Sequence, residues 1–554
     1  MNSEFVPPAI PGRCSQWLSG GGPWRLAAGL LALLVLLPIA VIFTGWLHID
    51  DAVWQHLADT VLLGLVRNTL VLLLGVGVGV TVIGVSLAWI VTAYEFRGRA
   101  LLEWLLMLPL AVPPYVLAFV FIGIFDFSGP VQAALNDWLG QGYWFPEVRS
   151  EGGVILVMSL ALYPYVYMLA RAAFLAQGRS VIEAARIHGL SPVQAFLRVA
   201  LPMARPAVVA GAALALMETL ADFGAVSIFN YDTFTTAIYK AWFGLFNLPA
   251  AGQLASLLLL FVFAALIGEG RLRGKARYHG DARGQRNLHR SRVQGWRKLL
   301  VIGWPLLVLA FAFVLPLWQL LVWAWDVAAD DLDARYWDLL VHTLTLGGLS
   351  ALFTLASALL IAYTRRQFAS SMVDFNVRLA TLGYALPGSV LAVGVMTAFA
   401  WVDDRVADVY ELWFGGLPDW ALMGSVLALV FAYGVRFLAV AYGAVDSAFE
   451  RIRPSIMEAA RSLGASHGEV LRRVYLPILR PGLLTGALLV FVEVMKEMPA
   501  TLLLRPFGWD TLAVRIYELT SEGEWERAAL PAVALVLAGL IPVILLVRRS
   551  ASAH

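Results

Sequence analysis

The amino-acid sequence is dominated by twelve apolar runs, each about as long as the roughly 20 residues that an α-helix needs to cross a bilayer. Only 14% of the residues are charged and 60% are hydrophobic, whereas soluble domains carry about 25% charged residues. The strands of a transmembrane barrel would alternate polar and apolar residues over about 10 positions, and these runs do not. The sequence therefore predicts an all-α, polytopic membrane protein. The predicted spans are residues 26–46, 63–93, 101–125, 153–176, 206–229, 250–268, 299–325, 339–364, 379–401, 422–448, 482–504 and 528–547.

Basic residues are concentrated in every second loop between the predicted spans, and the intervening loops are acidic. By the positive-inside rule the basic loops face the cytoplasm, and an even number of spans then places both chain termini there. The longest basic segment, residues 269–298, is hydrophilic and is interpreted as a cytoplasmic linker. It divides the chain into two six-span halves, residues 1–268 and 299–554.

Composition excludes several classes of function. Forty basic and 38 acidic residues give a net charge of +2, so the chain lacks the basic surface on which a nucleic acid would bind. The single cysteine, Cys14, excludes an intramolecular disulfide bond, a thiolate zinc site and an iron–sulfur cluster. The sequence presents no catalytic nucleophile with a positioned base, and its histidines lack metal-ligand spacing. We therefore expect a protein that is not an enzyme and binds no cofactor of its own.

A long internal repeat relates the two halves. Because six spans return the chain to the cytoplasmic side, the two copies have the same topology and are related by an axis along the membrane normal. Glu183-Ala-Ala-Arg186, Gly189, Leu201-Pro202, Arg205-Pro206, Gly211 and Glu218 recur 275 residues later as Glu458-Ala-Ala-Arg461, Gly464, Leu476-Pro477, Arg480-Pro481, Gly486 and Glu493.

The repeated segment lies in a predicted cytoplasmic loop and has the sequence of two helices joined by a turn. Glu-Ala-Ala-Arg is favourable helix sequence, and Gly189 and Gly464 suit the left-handed residue at which a helix ends. Serines at 191 and 466 begin capping boxes, which start a new helix. We therefore predict, in each half, a short cytoplasmic helix, a sharp turn and a second helix that leads into the fifth span.

The pattern E-A-A-x-x-x-G followed by Leu-Pro resembles the signature of inner-membrane permeases of ATP-binding-cassette (ABC) importers of the binding-protein-dependent type. The resemblance covers nearly the whole chain and implies the type I importer fold, with about six transmembrane helices in each permease repeat. It implies that the short coupling helix of each half docks on one of two copies of a separate ATPase subunit, which would hold ATP and Mg²⁺. A periplasmic binding protein would deliver the solute, and the location would be the cell inner membrane. The resemblance assigns ATPase coupling to Glu183, Ala184, Ala185, Arg186, Gly189, Glu458, Ala459, Ala460, Arg461 and Gly464.

Two such repeats in one chain resemble the fused permeases for ferric iron. The stretches Glu218 to Gly224, Asp232 to Tyr239 and Lys496 to Ala500 are similar to the ferric branch in particular. The resemblance thus implies passage of ferric iron to the cytoplasm by alternating access, driven by the partner ATPases.

Four carboxylates lie near the ends of the fifth spans. Glu218 and Asp222 are four residues apart and would share one helix face, and Glu493 and Glu497 occupy the repeated positions. A charge near mid-bilayer costs at least about 2.5 kcal/mol, so we expect these side chains to flank the translocation pathway. Carboxylate oxygens suit a hard cation such as Fe³⁺, and Glu218 and Glu493 are the candidates for transient contact with it.

A competing interpretation gives these carboxylates a structural role, in which they pair with bases such as Lys496 or Arg505 or cap helix ends. By resemblance, anion permeases of the same superfamily usually carry a basic residue where Glu218 stands, which favours a cation here. Thiamine or another small solute stays an alternative substrate. An alternative of another class is a proton-coupled secondary transporter that uses the four carboxylates as a relay.

Overall fold

The computed structural model describes residues 21–47, 49, 51–140, 143–273, 291–292 and 295–552. Eleven helices in this part of the chain are long and apolar enough to cross a membrane, and a twelfth span is formed if the bent pair Ser371–Ala385 and Gly388–Phe414 is counted. The predicted all-α polytopic fold is confirmed. Cys14 and most of the basic linker lie outside the described residues.

Helices make up most of the described chain. The helices before the linker are Gly22–Ile42, Asp51–His56, Leu62–Ala93, Arg99–Leu105, Pro114–Phe125, Pro130–Leu139, Glu151–Ile187, Pro192–Ala195, Leu201–Ala221, Gly224–Ile228, Phe234–Tyr239 and Leu248–Arg273. Those after it are Arg297–Leu309, Leu315–Asp331, Ala334–Gln367, Ser371–Ala380, Gly388–Phe414, Val426–Phe449, Pro454–Ser462, His467–Glu469, Leu476–Lys496, Pro499–Leu504, Leu512–Ser521 and Trp525–Ser552. Short 3-10 or π-helical turns lie at Phe43–Leu47, Leu57–Val61, Leu108–Ala111, Phe196–Ala200, Lys240–Gly244, Ala310–Val314, Leu382–Ala385 and Val470–Tyr475. The two-residue strands Tyr94–Glu95 and Ser291–Arg292 pair in parallel.

Prolines break the third span of each half. Pro113 and Pro387 both have ψ of 142°, and a new helix begins at the residue that follows each of them. A proline has no N–H group and disfavours helical geometry at the residue before it, so the preceding helix cannot continue through either position. In the second half the chain bends by 115° between the helical pieces Ser371–Ala385 and Gly388–Phe414.

The first helix of each half packs against the other half. Helix Gly22–Ile42 contacts Gly388–Phe414, and a Cβ atom at Gly394 would lie 2.4 Å from the carbonyl oxygen of Pro38. Because glycine lacks a Cβ, the two backbones can approach closely, as at other tightly packed membrane interfaces.

The reciprocal contact is made by tryptophans of the second half. Trp304 Nε1 donates a hydrogen bond to Ser86 Oγ (3.0 Å), and the Trp323 ring stacks on Phe119 with centroids 6.4 Å apart. The two hydrophobic cores of the protein each contain side chains from both halves. The halves are therefore interlocked, and the surface between them is formed by helices of both.

We expect Gly394→Ala to destabilise the protein by about 1–3 kcal/mol, because the added methyl group would collide with the backbone of Pro38, which cannot move aside as a side chain can. Gly64→Ala is the matched control, since a Cβ there meets no atom within 4 Å. Unfolding of the purified variants in detergent measures the difference. Equal stability of the two variants would contradict the interlocked packing.

Candidate translocation pathway and coupling loops

The two helices that carry the carboxylates end at corresponding residues. Leu201–Ala221 and Leu476–Lys496 stop because Asp222 and Glu497 adopt extended backbone geometry, with ψ of 132° and 116°. The predicted continuous fifth spans, to residues 229 and 504, are therefore wrong in this detail. The prediction that Glu218 and Asp222 share one helix face is wrong for the same reason, because Asp222 has left the helix.

Asp222 and Glu497 each lie two residues before the short helix that follows, Gly224–Ile228 or Pro499–Leu504. Asp222 Oδ1 accepts a hydrogen bond from the backbone N–H of Val226 (3.1 Å), and Glu497 accepts from the N–H groups of Ala500 and Thr501 (both 3.1 Å). A carboxylate that accepts from unpaired N–H groups at a helix start satisfies donors that would otherwise be buried without partners. Both carboxylates therefore accept hydrogen bonds at the start of the following helix, which is one of the structural roles considered for them.

Glu497 also forms a buried ion pair with Arg436. Arg436 Nη1 lies 2.8 Å from Glu497 Oε1, and the two side chains are 14% and 2% exposed. Arg436 is not among the residues predicted from the sequence, although a single arginine inside the apolar run 422–448 is a signal for a buried charged partner. Arg505, which was considered as a partner, instead pairs with Glu518 at 2.9 Å.

Glu218 and Glu493 retain freer carboxylates. The Tyr384 hydroxyl, from the opposite half, donates to Glu218 Oε1 (3.2 Å). Glu493 has a looser contact with Lys496 Nζ at 3.5 Å, and 45% of its side chain is exposed. The predicted pairing with Lys496 is therefore present, but it leaves much of the Glu493 carboxylate open to a visiting ion or to water.

All four carboxylates line one cavity of about 310 Å³ between the two halves. Arg436 and Lys496 also line it, so the lining has four acidic and two basic groups, a formal excess of two acids. In the described residues no group of three or more histidine, cysteine, aspartate or glutamate side chains is arranged to hold a metal ion. The cavity thus has the charge to attract a cation, and the described side chains do not form a closed coordination shell.

The cavity lies far along the helices from the repeated loops. At about 1.5 Å of rise per residue, Glu218 is roughly 26 Å along its helix from Leu201.

The two halves contact each other beside the cavity. The Phe223 and Tyr517 rings are 5.4 Å apart, and a Cβ at Gly224 would lie 2.6 Å from Met498 Cε.

The repeated loops contain the predicted turns and capping boxes. Gly189 and Gly464 have φ of +82° and +85°, which only glycine adopts readily. Gln194 Oε1 accepts from the N–H of Ser191, and Glu469 Oε2 accepts from that of Ser466, both at 3.0 Å.

The predicted short helix before the turn is found in one copy alone. In the second half Pro454–Ser462 is separate, because Pro454 begins a new helix at its first position. In the first half Glu183 to Arg186 are instead the last turns of the 37-residue helix Glu151–Ile187, so the prediction of a separate helix is wrong there. The side chains of Glu183 to Arg186 and of Arg461 lie outside the described part of the structure. Glu458, Ala459 and Gly464 are exposed.

We expect Arg436→Met to destabilise the protein by about 3–5 kcal/mol, because Glu497 would keep a buried charge without its partner. The double variant Arg436→Met with Glu497→Gln should recover part of this loss. Arg405→Met is the control, since the Arg405–Asp408 pair is 66% and 69% exposed and should contribute less than about 1 kcal/mol. Denaturant-induced unfolding in detergent micelles measures all three, and equal losses for Arg436→Met and Arg405→Met would rule out the buried pair.

Curated relatives of known transport systems align with much of this chain. The Fe(3+)-transport system permease protein FbpB 2 of Haemophilus influenzae is 28% identical over 87% of this chain and 89% of its own length. The ferric transport system permease protein FbpB of Actinobacillus pleuropneumoniae is 22% identical over 88% of this chain and 71% of its own. The sulfate transport system permease protein CysW of Escherichia coli is 35% identical, over 37% of this chain and 71% of its own.

A family model also matches the chain twice, in agreement with the internal repeat. The matched regions are residues 80–269 and 374–553, which together make up more than half of the chain. The family is described as the binding-protein-dependent transport system inner membrane component. The chain therefore belongs to this family of transport permeases and carries two of its domains in one polypeptide.

Proposed function

We propose that this chain is the membrane-spanning subunit of an ABC importer that passes ferric iron from a periplasmic binding protein to the cytoplasm. The observation that carries the proposal is the pair Glu218 and Glu493, which project from equivalent helices of the two halves into one acidic cavity. Carboxylate oxygens are the ligands that a hard, highly charged cation prefers. The ion is the substrate and makes passing contact with these two side chains.

Similarity to other permeases supports iron over the alternatives. Two relatives whose names specify ferric iron align over 87% and 88% of this chain, and so match both of its permease domains. The sulfate permease is a shorter protein, which aligns over 71% of its own length with 37% of this chain. An excess of negative charge in the cavity would repel sulfate and attract a cation. Thiamine, an organic cation, stays an alternative substrate, and a comparison of labelled iron and labelled thiamine uptake distinguishes the two.

The two repeated loops are the proposed contacts with two ATPase subunits, which would bind the ATP and Mg²⁺. Ile187 and Leu463, beside the glycine turns, are 84% and 87% exposed. Single exposed apolar side chains are common on protein surfaces, so the support for docking comes from the recurrence of this exposed turn in both halves. In this proposal the loops, the basic linker and both chain termini lie on the cytoplasmic side.

Transport would follow from a rigid coupling of these loops to the cavity. Each loop continues directly into a carboxylate helix, Leu201–Ala221 or Leu476–Lys496, through a π-helical turn. Closure of the ATPases would bring the two loops together and tilt the halves, so that the cavity opens toward the periplasm and then toward the cytoplasm. This chain would supply the pathway, and ATP hydrolysis would occur on its partners.

We expect Gly189→Pro combined with Gly464→Pro to abolish ATPase activity stimulated by the binding protein in the reconstituted complex. Proline fixes φ near −65° and cannot adopt the positive φ of either turn, so both docking surfaces would be displaced. Gly98→Pro is the matched control, because Gly98 has φ of +85° outside the repeated loops. Unchanged stimulation in the double variant would refute the docking role.

We expect Glu218→Gln combined with Glu493→Gln to reduce uptake of radioactive iron into proteoliposomes by at least about tenfold, since both charges facing the ion would be lost. Glu147→Gln, which removes an exposed acid outside the cavity, should leave uptake unchanged. Labelled thiamine is tested in parallel. Uptake of thiamine but not of iron would contradict the proposal that iron is the substrate. Uptake by the chain without ATPase subunits would indicate a secondary transporter.

A further inference from the structure

Lys496 joins the two halves at the cavity. Its Nζ lies 3.5 Å from Glu493 Oε1 in its own half and 3.4 Å from the carbonyl oxygen of Leu110 in the other half. Its backbone carbonyl accepts a hydrogen bond from the Tyr115 hydroxyl (3.4 Å), again across the boundary. The repeated position in the first half is Ala221, so the contact has no equivalent on the other side of the pseudosymmetry axis.

The carbonyl group of Leu110 is available to a cation because of the two prolines that follow it. In a continuing helix this oxygen would accept from the N–H of the residue three or four positions later. Those residues are Pro113 and Pro114, which have no N–H group. The proline break therefore directs an unpaired carbonyl oxygen toward the ammonium group of Lys496.

Two oxygen atoms from opposite halves, a carboxylate and a carbonyl, thus make long contacts with one ammonium group. Both are hard ligands, of the kind that coordinate small multivalent cations in proteins. Lys496 and Glu493 also line the cavity that contains Glu218. The ammonium group therefore contacts two oxygen atoms of the type that a hard cation in the cavity would use.

We propose that Lys496 is a tethered substitute for the substrate cation. With the pathway empty, its ammonium group neutralises Glu493 and links the two halves through Leu110. An arriving multivalent cation takes over the same oxygens and displaces the lysine, and the returning lysine then helps to expel the ion. This inference depends on the proposed function only in requiring that the substrate is a cation.

A purely structural role for Lys496 is the competing explanation. Lys496 is the last residue of its helix, where a positive charge is favourable beside the C-terminal end of the helix dipole. In that case its removal would lower stability and leave the affinity of the cavity for cations unchanged or weaker. Cation affinity therefore separates the two explanations, and stability does not.

The test uses the full-length chain, purified in detergent, and Tb³⁺ as a hard trivalent probe whose luminescence is sensitised by nearby aromatic side chains. We expect Lys496→Met to bind Tb³⁺ about tenfold more tightly than the unmodified chain, because a competing positive charge has been removed. Lys496→Arg, which keeps the charge, should bind as the unmodified chain does. Lys496→Met combined with Glu493→Gln should lose the gain.

Equal or weaker Tb³⁺ binding by Lys496→Met would overturn the inference, as would a gain that survives Glu493→Gln. Lys496→Gln replaces Lys496→Met if the latter does not fold. Iron uptake by the complete reconstituted complex is measured separately. If Lys496→Met binds Tb³⁺ more tightly but the complex takes up no iron, iron is not the substrate and the role of Lys496 is retained. If the complex takes up iron but Lys496→Met does not bind Tb³⁺ more tightly, iron is retained as the substrate and the role of Lys496 is wrong.

Discussion

The cost of placing a charge in a low-dielectric environment governs the centre of this protein. Four carboxylates lie within the predicted membrane-spanning region, and this cost is offset differently at each of them. Glu497 has Arg436 and backbone N–H groups, Asp222 caps a helix, Glu218 accepts from Tyr384, and Glu493 faces Lys496. The ion pair of Glu497 connects neighbouring helices, whereas the loosely paired Glu493 stays available to a solute. The same residue type thus supplies both rigidity and an adaptable lining.

Much of the fold was predictable because the relevant signals are local. Span length, the positive φ required at Gly189 and Gly464, and the capping boxes at Ser191 and Ser466 depend on short stretches of sequence, and the structure has them. Proline breaks belong to the same class, since the missing N–H is a property of the residue itself. The repeat was equally visible, because both copies keep the same residues at a constant spacing.

The features that sequence analysis missed depend on contacts between distant residues. Helix Leu201–Ala221 ends at Asp222, whose carboxylate accepts a hydrogen bond from the next helix, and an apolar sequence pattern does not reveal such a break. Arg436 pairs with a glutamate 61 positions away, and Tyr384 reaches a carboxylate in the opposite half. The coupling segment of the first half lacks the proline that separates its counterpart at Pro454, and so it remains part of a long helix.

The packing of each half's first helix against the other half also has a consequence for biogenesis. Helix Gly22–Ile42 leaves the ribosome several hundred residues before the surface that receives it, around Gly394. Until then the helix lacks its main packing partner. Because both domains belong to one polypeptide, the surface around Gly394 is tethered to helix Gly22–Ile42 and meets it at high effective concentration. Two separately translated subunits would have to find each other by diffusion in the bilayer before either could finish folding.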